Sequence, residues 1–204
     1  MKYQLDEVIE KTGSKPFDPY ETTRINILLN AFYLNILGAI DNLSWVIQHE
    51  FNLINGATES NSKKHGIGFF KKEFKKSLNK SDPDMVKETN NFQNWHDEIK
   101  NFRDSAAHRI PLFCPARVIN SEDDEELSKT RNNFLNQDYS KDRKAYMNAQ
   151  RELYQVGKFQ PIFVHVSEES ETIYPLSRTV EKDYDPFWEL SSLAFKLIEK
   201  RLYQ

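Results

Sequence analysis

One apolar stripe constrains the fold of this chain more than any other feature. Ile25, Leu28, Leu29, Phe32, Ile36, Ile40, Leu43, Ile47 and Phe51 recur every three or four positions. That spacing lays them along one face of an α-helix. Ile27, Leu34, Leu37 and Val46 widen the face. Pro19 suits the first helical position, Asp18 before it caps, and Glu21 completes a capping box. With Gly56 as the stop, the helix runs from residue 19 to about 55 and reaches about 50–55 Å at ~1.5 Å per residue. So wide an apolar surface needs several partners, as in a bundle with an extra contact to a second subunit. Asn30, Asn35, Asp41 and Asn42 break the stripe, which argues against a membrane span.

The rest of the chain reads as shorter elements around that helix. Residues 1–13 form a helical lead-in, and 57–68 a polar loop. Phe69, Phe70 and Phe74 are interleaved with a lysine run from Lys63 to Lys80. This is a short amphipathic helix with either a solvated lysine face or a phosphate-contacting one. Ser81-Asp82-Pro83 opens a second long helix, with a break near Asn90-Asn91, that continues to about His108. Leu112 to Val118 is extended, an exposed helix starts over 121–126, and 129–155 is a lightly packed helical excursion. Residues 159–166 read as a strand, with 171–176 as its hairpin partner. Asp185-Pro186 repeats the helix-start pattern and opens the final helix. The expected fold is mainly α: a helical bundle with two long antiparallel helices and a small β-hairpin insertion. It forms a single domain over 1–204, with an inserted excursion at about 112–176. Trp45, Trp95 and Trp188, one per major helix, are assigned to the core.

Composition narrows function by exclusion. A net charge of -3 gives the chain no global attraction to nucleic acid, so any such binding must come from local patches. Six glycines, with no Gly-rich phosphate pattern among them, argue against a nucleotide-binding loop. The single cysteine, Cys114, excludes an internal disulfide framework and fits a reducing, cytoplasmic compartment; it reads as a small buried residue. Residues 1–10 are charged and lack the apolar segment of a signal peptide. His49-Glu50 and His96-Asp97-Glu98 could only form a metal cluster if their helices met, and neither carries the Glu-x-x-His pair of four-helix di-metal proteins. No metal and no cofactor is therefore expected. His65 and His165 read as surface residues.

The chemistry concentrates between Trp95 and Pro111. Trp95, Ile99, Phe102 and Ala106 line one buried helical face, while Arg103, Asp104 and His108 lie elsewhere on the cylinder near its end. Pro111 lacks an amide hydrogen and restricts Ile110, so the helix stops at about 108–110. Asp104 and His108, at i and i+4, share a face, and the carboxylate there would orient the imidazole as a general base. Arg103 and His108 point about 140° apart at ~100° per residue. Arg103 carries planar donors that match phosphate oxygens. A plain salt-bridged helix end, with His108 against the helix dipole, accounts for the same residues.

Arg103-Asp104-Ser105-Ala106-Ala107-His108 resembles the Arg-x(4–6)-His signature of HEPN domains. His108-Arg109-Ile110-Pro111-Leu112 and Ala39-Ile40-Asp41-Asn42-Leu43-Ser44-Trp45-Val46 resemble a bacterial subgroup of that family. The 159–163 and 178–180 regions fit the subgroup more loosely. The resemblance implies a helical homodimer and a metal-independent endoribonuclease acting on single-stranded RNA, of the kind found in toxin–antitoxin and phage-defence systems. Arg103 and His108 would be its catalytic pair, with Asp104 as the polar helper. Lys71, Lys72, Lys75, Lys76 and Arg109 would contact the RNA. An antitoxin or another protein partner is implied, and a membrane is not. The alternative is a non-catalytic HEPN-like module that binds RNA, nucleotide or protein.

Overall fold

The computed structural model describes residues 2–13, 15–57, 61–108, 110–167 and 170–203. The chain is mainly α-helical with a small antiparallel hairpin. In order, the helices are α1 (Lys2–Thr12), α2 (Pro19–Phe51), α3 (Asn61–Lys64), α4 (Lys72–Ser81), α5 (Pro83–Asn90), α6 (Gln93–His108), α7 (Asp124–Leu135), α8 (Arg143–Gln155) and α9 (Leu176–Leu202). The strands β1 (Ile162–Val166) and β2 (Glu171–Pro175) precede α9. These elements form two compact units: Met1–Leu29 with Leu112–Ser177, and Asn30–Pro111 with Arg178–Gln204. The excursion expected over about 112–176 thus packs in one unit with the N-terminal segment.

In the first unit, Asp18 caps α2 by accepting the Glu21 N–H at 2.8 Å. Asn26 clamps the extended segment after Pro111. Its Oδ1 accepts the Cys114 N–H at 2.6 Å and its Nδ2 donates to the Cys114 carbonyl at 3.3 Å. Phe17 packs on Phe159 with ring centroids 3.9 Å apart, and Phe163 of β1 is fully buried. β1 and β2 pair in the register Val164↔Ile173, and Phe113 bridges to Val164 on the other edge. A second bridge joins Val118 to Lys158. Gly157, at φ +93, makes it possible, since a Cβ there would meet the Val118 carbonyl oxygen at 2.7 Å. Of α7 and α8 only Ala149 is buried, as the sparse apolar residues of that segment predict.

The second unit is a bundle of α2, α5–α6 and α9. Tyr33 lies beside Phe102, while Trp45 further along α2 faces the cleft that Gln93 also lines, so α2 and α6 run antiparallel. Asp82, at the start of α5, pairs with Lys200, and Glu98 on α6 pairs with Lys182, so α9 runs antiparallel to both. Asp82 also caps α5 through the Met85 N–H at 3.0 Å. The interruption near Asn90-Asn91 is present, with α5 ending at Asn90 and α6 starting at Gln93.

Four expectations need correction. α2 stops at Phe51 rather than about residue 55, because Asn52 turns left-handed at φ 45. The Gln48 amide then closes the end with two 3.0 Å bonds to the Ile54 N–H and carbonyl. Of the four residues expected to widen the buried face only Leu37 is buried; Ile27, Leu34 and Val46 are exposed, and Tyr33 is buried instead. Asp185-Pro186 does not open α9, which begins at Leu176 and carries Pro186 inside it. Val180 and Asp183 upstream and Leu190 and Ala194 downstream are all buried, so the bundle holds both halves although proline lacks the N–H for the helical bond. Trp188 is 62% exposed rather than core, because it lies about 200° around the helix from Leu190 at ~100° per residue.

One buried polar cluster ties the three helices together. The Tyr33 hydroxyl of α2 donates to Asp183 Oδ2 of α9 at 2.8 Å. Trp95 of α6 faces the same carboxylate, but neither its Nε1 nor Asp183 Oδ1 completes a hydrogen bond of normal geometry among the described residues. Burial pushes the Asp183 carboxyl up to about 6, against the Tyr33 bond that lowers it. Among the described helices α2 is long and apolar enough to cross a membrane by length and composition. Its Ser44 and Gln48 are nevertheless buried and hydrogen-bonded inside the protein, as in a core helix.

Candidate functional site

The second unit holds a cleft of about 370 Å³ bounded by α2, the 64–71 loop and α6. Each wall follows from local sequence. α2 presents Asp41 and Trp45, which flank its buried Ile40 and Ser44. Ser44 fixes the loop as well. Its Oγ donates to the Ile40 carbonyl at 2.9 Å and accepts the Phe69 N–H at 3.1 Å. Ile67 and Phe69 are buried and anchor the loop, which leaves Lys64, His65 and Lys71 along the rim. Gly68, at φ +149, turns the chain, and the Lys71 N–H closes on its carbonyl at 2.9 Å.

α6 supplies the third wall. Trp95, Ile99 and Phe102 are buried, and the residues one position on, His96, Lys100 and Arg103, line the cleft. Spacings of four and three place those side chains on one face. Four fixed cations, Lys64, Lys71, Lys100 and Arg103, therefore surround a space that contains two carboxylates, Asp41 and Asp97. The excess is positive in a chain whose net charge is -3. Such a cleft concentrates an anion locally. A second groove in this unit, of about 410 Å³, sets Glu88 and Glu189 against the single cation Lys196 and has no such bias.

His96 is the best-defined titratable group in the cleft. Its ring stacks on Phe70 with centroids 4.0 Å apart and planes 23° apart. Nδ1 lies 3.1 Å from Asp97 Oδ1. A carboxylate only accepts, so Nδ1 carries the proton of the neutral ring and Nε2 is left as the acceptor. Burial lowers the His96 pKa, partly offset by Asp97. Burial alone would raise Asp97, but hydrogen bonds from Gln93 and His96 hold it below the usual carboxylate range. Lys75 Nζ donates at 2.8 Å to both Asn90 and Gln93, and it sits 5.4 Å above the Phe70 ring. Burial lowers its pKa.

The residues singled out from sequence are distributed unevenly. Arg103 and Lys71 meet in the cleft. Asp104 stands outside its lining and holds Arg103 by a 3.3 Å ion pair. Lys72 and Lys76 are exposed on α4 and do not line the cleft, and Lys75 is engaged as described. His108 ends α6, but its side chain lies outside the described residues, as does Arg109. Asp41 of α2 lines the same cleft as Arg103. From sequence, Lys64 enters only within the lysine run and its phosphate-contacting alternative, His96 only as a weighed metal ligand, and Lys100 not at all; the i, i+4, i+7 spacing of His96, Lys100 and Arg103 is the available signal. Among the described residues no three His, Cys, Asp or Glu side chains are grouped to hold a metal. Burial pushes the Cys114 thiol up to about 12, which makes it a poor nucleophile.

Comparison with models of protein families, with curated proteins and with solved structures gives no match.

Proposed function

We propose that this chain is a metal-independent endoribonuclease of HEPN type that takes single-stranded RNA into the α2–loop–α6 cleft. The observation that carries this reading is the opening of Arg103 into a cleft it shares with Lys64, Lys71 and Lys100. Phosphodiesters are recognised by such convergent cations, and a guanidinium is suited to the charge that builds on phosphorane oxygens. The ribose 2′-hydroxyl is the nucleophile, so the products are a cyclic phosphate and a 5′-hydroxyl, and DNA is spared. His108 is the partner of Arg103 in the resemblance. The homodimer, and a toxin or defence role, belong to the same proposal.

The test is cleavage of labelled single-stranded RNA and its DNA counterpart in EDTA. Wild-type protein should cut only the RNA and leave cyclic phosphate ends. Arg103→Ala should lower the rate by on the order of 10²–10³, the usual loss for one stabilising group. Unaltered cleavage by Arg103→Ala refutes the reading. RNA bound and left intact by wild-type protein assigns the chain to the non-catalytic module instead, a use that also suits a cleft of about 370 Å³.

A further inference from the structure

We infer that His96, oriented by Asp97, is the general base that activates the ribose 2′-hydroxyl in this cleft. The inference rests on the ribonuclease reading and adds a residue outside the Arg103–His108 motif. In-line transesterification needs one group to remove a proton and another to supply one, so a single imidazole leaves one role open. His96 and Arg103 lie two helical turns apart on one face of α6, and both line the cleft. A phosphate held by Arg103 and Lys100 would place its ribose along the same face, toward His96.

The dyad has the form that base catalysis requires. Asp97 accepts from Nδ1, which fixes the tautomer with Nε2 bare, and the Phe70 stack fixes the ring plane. Among the described residues Nδ1 alone of the two ring nitrogens has a hydrogen-bond partner, so Nε2 is available to substrate. Burial lowers the His96 pKa, so the ring is neutral and able to accept at neutral pH. The charged groups around it are Asp97, Lys100 and Arg103 on α6, Asp41 on α2, Lys64 and Lys71 from the loop, and Lys75 on α4. His65 is the second imidazole lining the cleft among the described residues.

In the step itself, the 2′-hydroxyl proton passes to His96 Nε2 and the 2′ oxygen forms a bond to the adjacent phosphorus. The bond from phosphorus to the 5′ oxygen breaks, and its electron pair leaves with that oxygen. A general acid, the role left to His108, protonates the leaving oxygen. Water then returns both histidines to their starting states.

Single-turnover cleavage and RNA affinity, measured side by side for wild type, His96→Asn and Asp97→Asn, test the assignment. His96→Asn keeps a donor for Asp97 but cannot titrate. Its rate should fall by on the order of 10²–10⁴ while affinity stays within a few-fold. The acid-side limb of the rate–pH profile should vanish with it. Asp97→Asn perturbs an exposed side chain and should slow the step and move that limb, which decides the matter if His96→Asn fails to fold. A wild-type rate in both variants overturns the His96 assignment and leaves the ribonuclease reading standing. Parallel losses of rate and affinity, with the pH profile unmoved, overturn it too by making His96 structural. RNA left uncut by wild type removes both.

Discussion

Asp183→Asn is the sharpest test of the bundle, because one charge is removed where three helices meet. The Asp183 side chain is buried against Tyr33 and Trp95. In the unfolded chain the carboxyl ionises near its ordinary 3.8, and in the folded protein burial pushes it up to about 6. Between those values the folded state binds more protons, so stability falls as pH rises through the window. Below 3.8 both states are protonated, and above 6 both are charged, so the contribution is flat outside it. A shift of about 2 units at ~1.4 kcal/mol each amounts to about 3 kcal/mol, of which roughly 2–2.5 kcal/mol falls between about pH 4 and pH 7. The asparagine variant keeps the shape and carries no charge at either pH. Urea unfolding of both proteins at the two pH values measures the effect, and other titrating groups cancel in the comparison. Relative to wild type, Asp183→Asn should gain roughly 2–2.5 kcal/mol on going from about pH 4 to about pH 7. An equal difference at both pH values, or one that shrinks at the higher pH, refutes the reasoning.

Two further substitutions probe the scaffold. Gly157→Ala would force a Cβ to within 2.7 Å of the Val118 carbonyl oxygen at a left-handed φ. It should cost about 1–3 kcal/mol in denaturant unfolding. Asp82→Ala removes the α5 cap and the Lys200 pair together. Thermal unfolding should show a loss of about 1 kcal/mol, nearly all of it from the cap, because the exposed ion pair adds little.

The helical architecture was legible wherever local rules and burial agreed. Asp18-Pro19 and Asp82-Pro83 are helix starts in sequence and in structure. Asp185-Pro186 has the same form and is not a start, because Leu176, Val180 and Asp183 bury an earlier stretch of the same helix. Local pattern carries no information about that long-range packing. Trp188 counts as core in the sequence reading as the one tryptophan of its helix, although Leu190 and Ala194 mark the opposite face as the buried one. At the site, Arg103 was found through a motif that looks forward to His108, while the cleft gathers residues behind it at His96 and Lys100. Lys64 and Lys71 join through a loop held by Ser44, a contact across 25 residues that no local window contains.

The short joint between α5 and α6 has a consequence for the cleft that it does not touch. Asn91 and Phe92 close three-residue bonds to Glu88 and Thr89, at 3.0 and 3.1 Å. Met85 and Thr89 are buried on α5. Wound on without interruption at ~100° per residue, that inward face would carry His96 and Arg103 into the core. The joint slips the winding, so that Trp95, Ile99 and Phe102 turn inward instead. Asn91 and Phe92 thereby act as the phase setting of the whole wall. One amino acid added there would bring the hydrophobic row to the cleft, and one lost would turn the charged row into the core, even though every member of both rows remained in the chain.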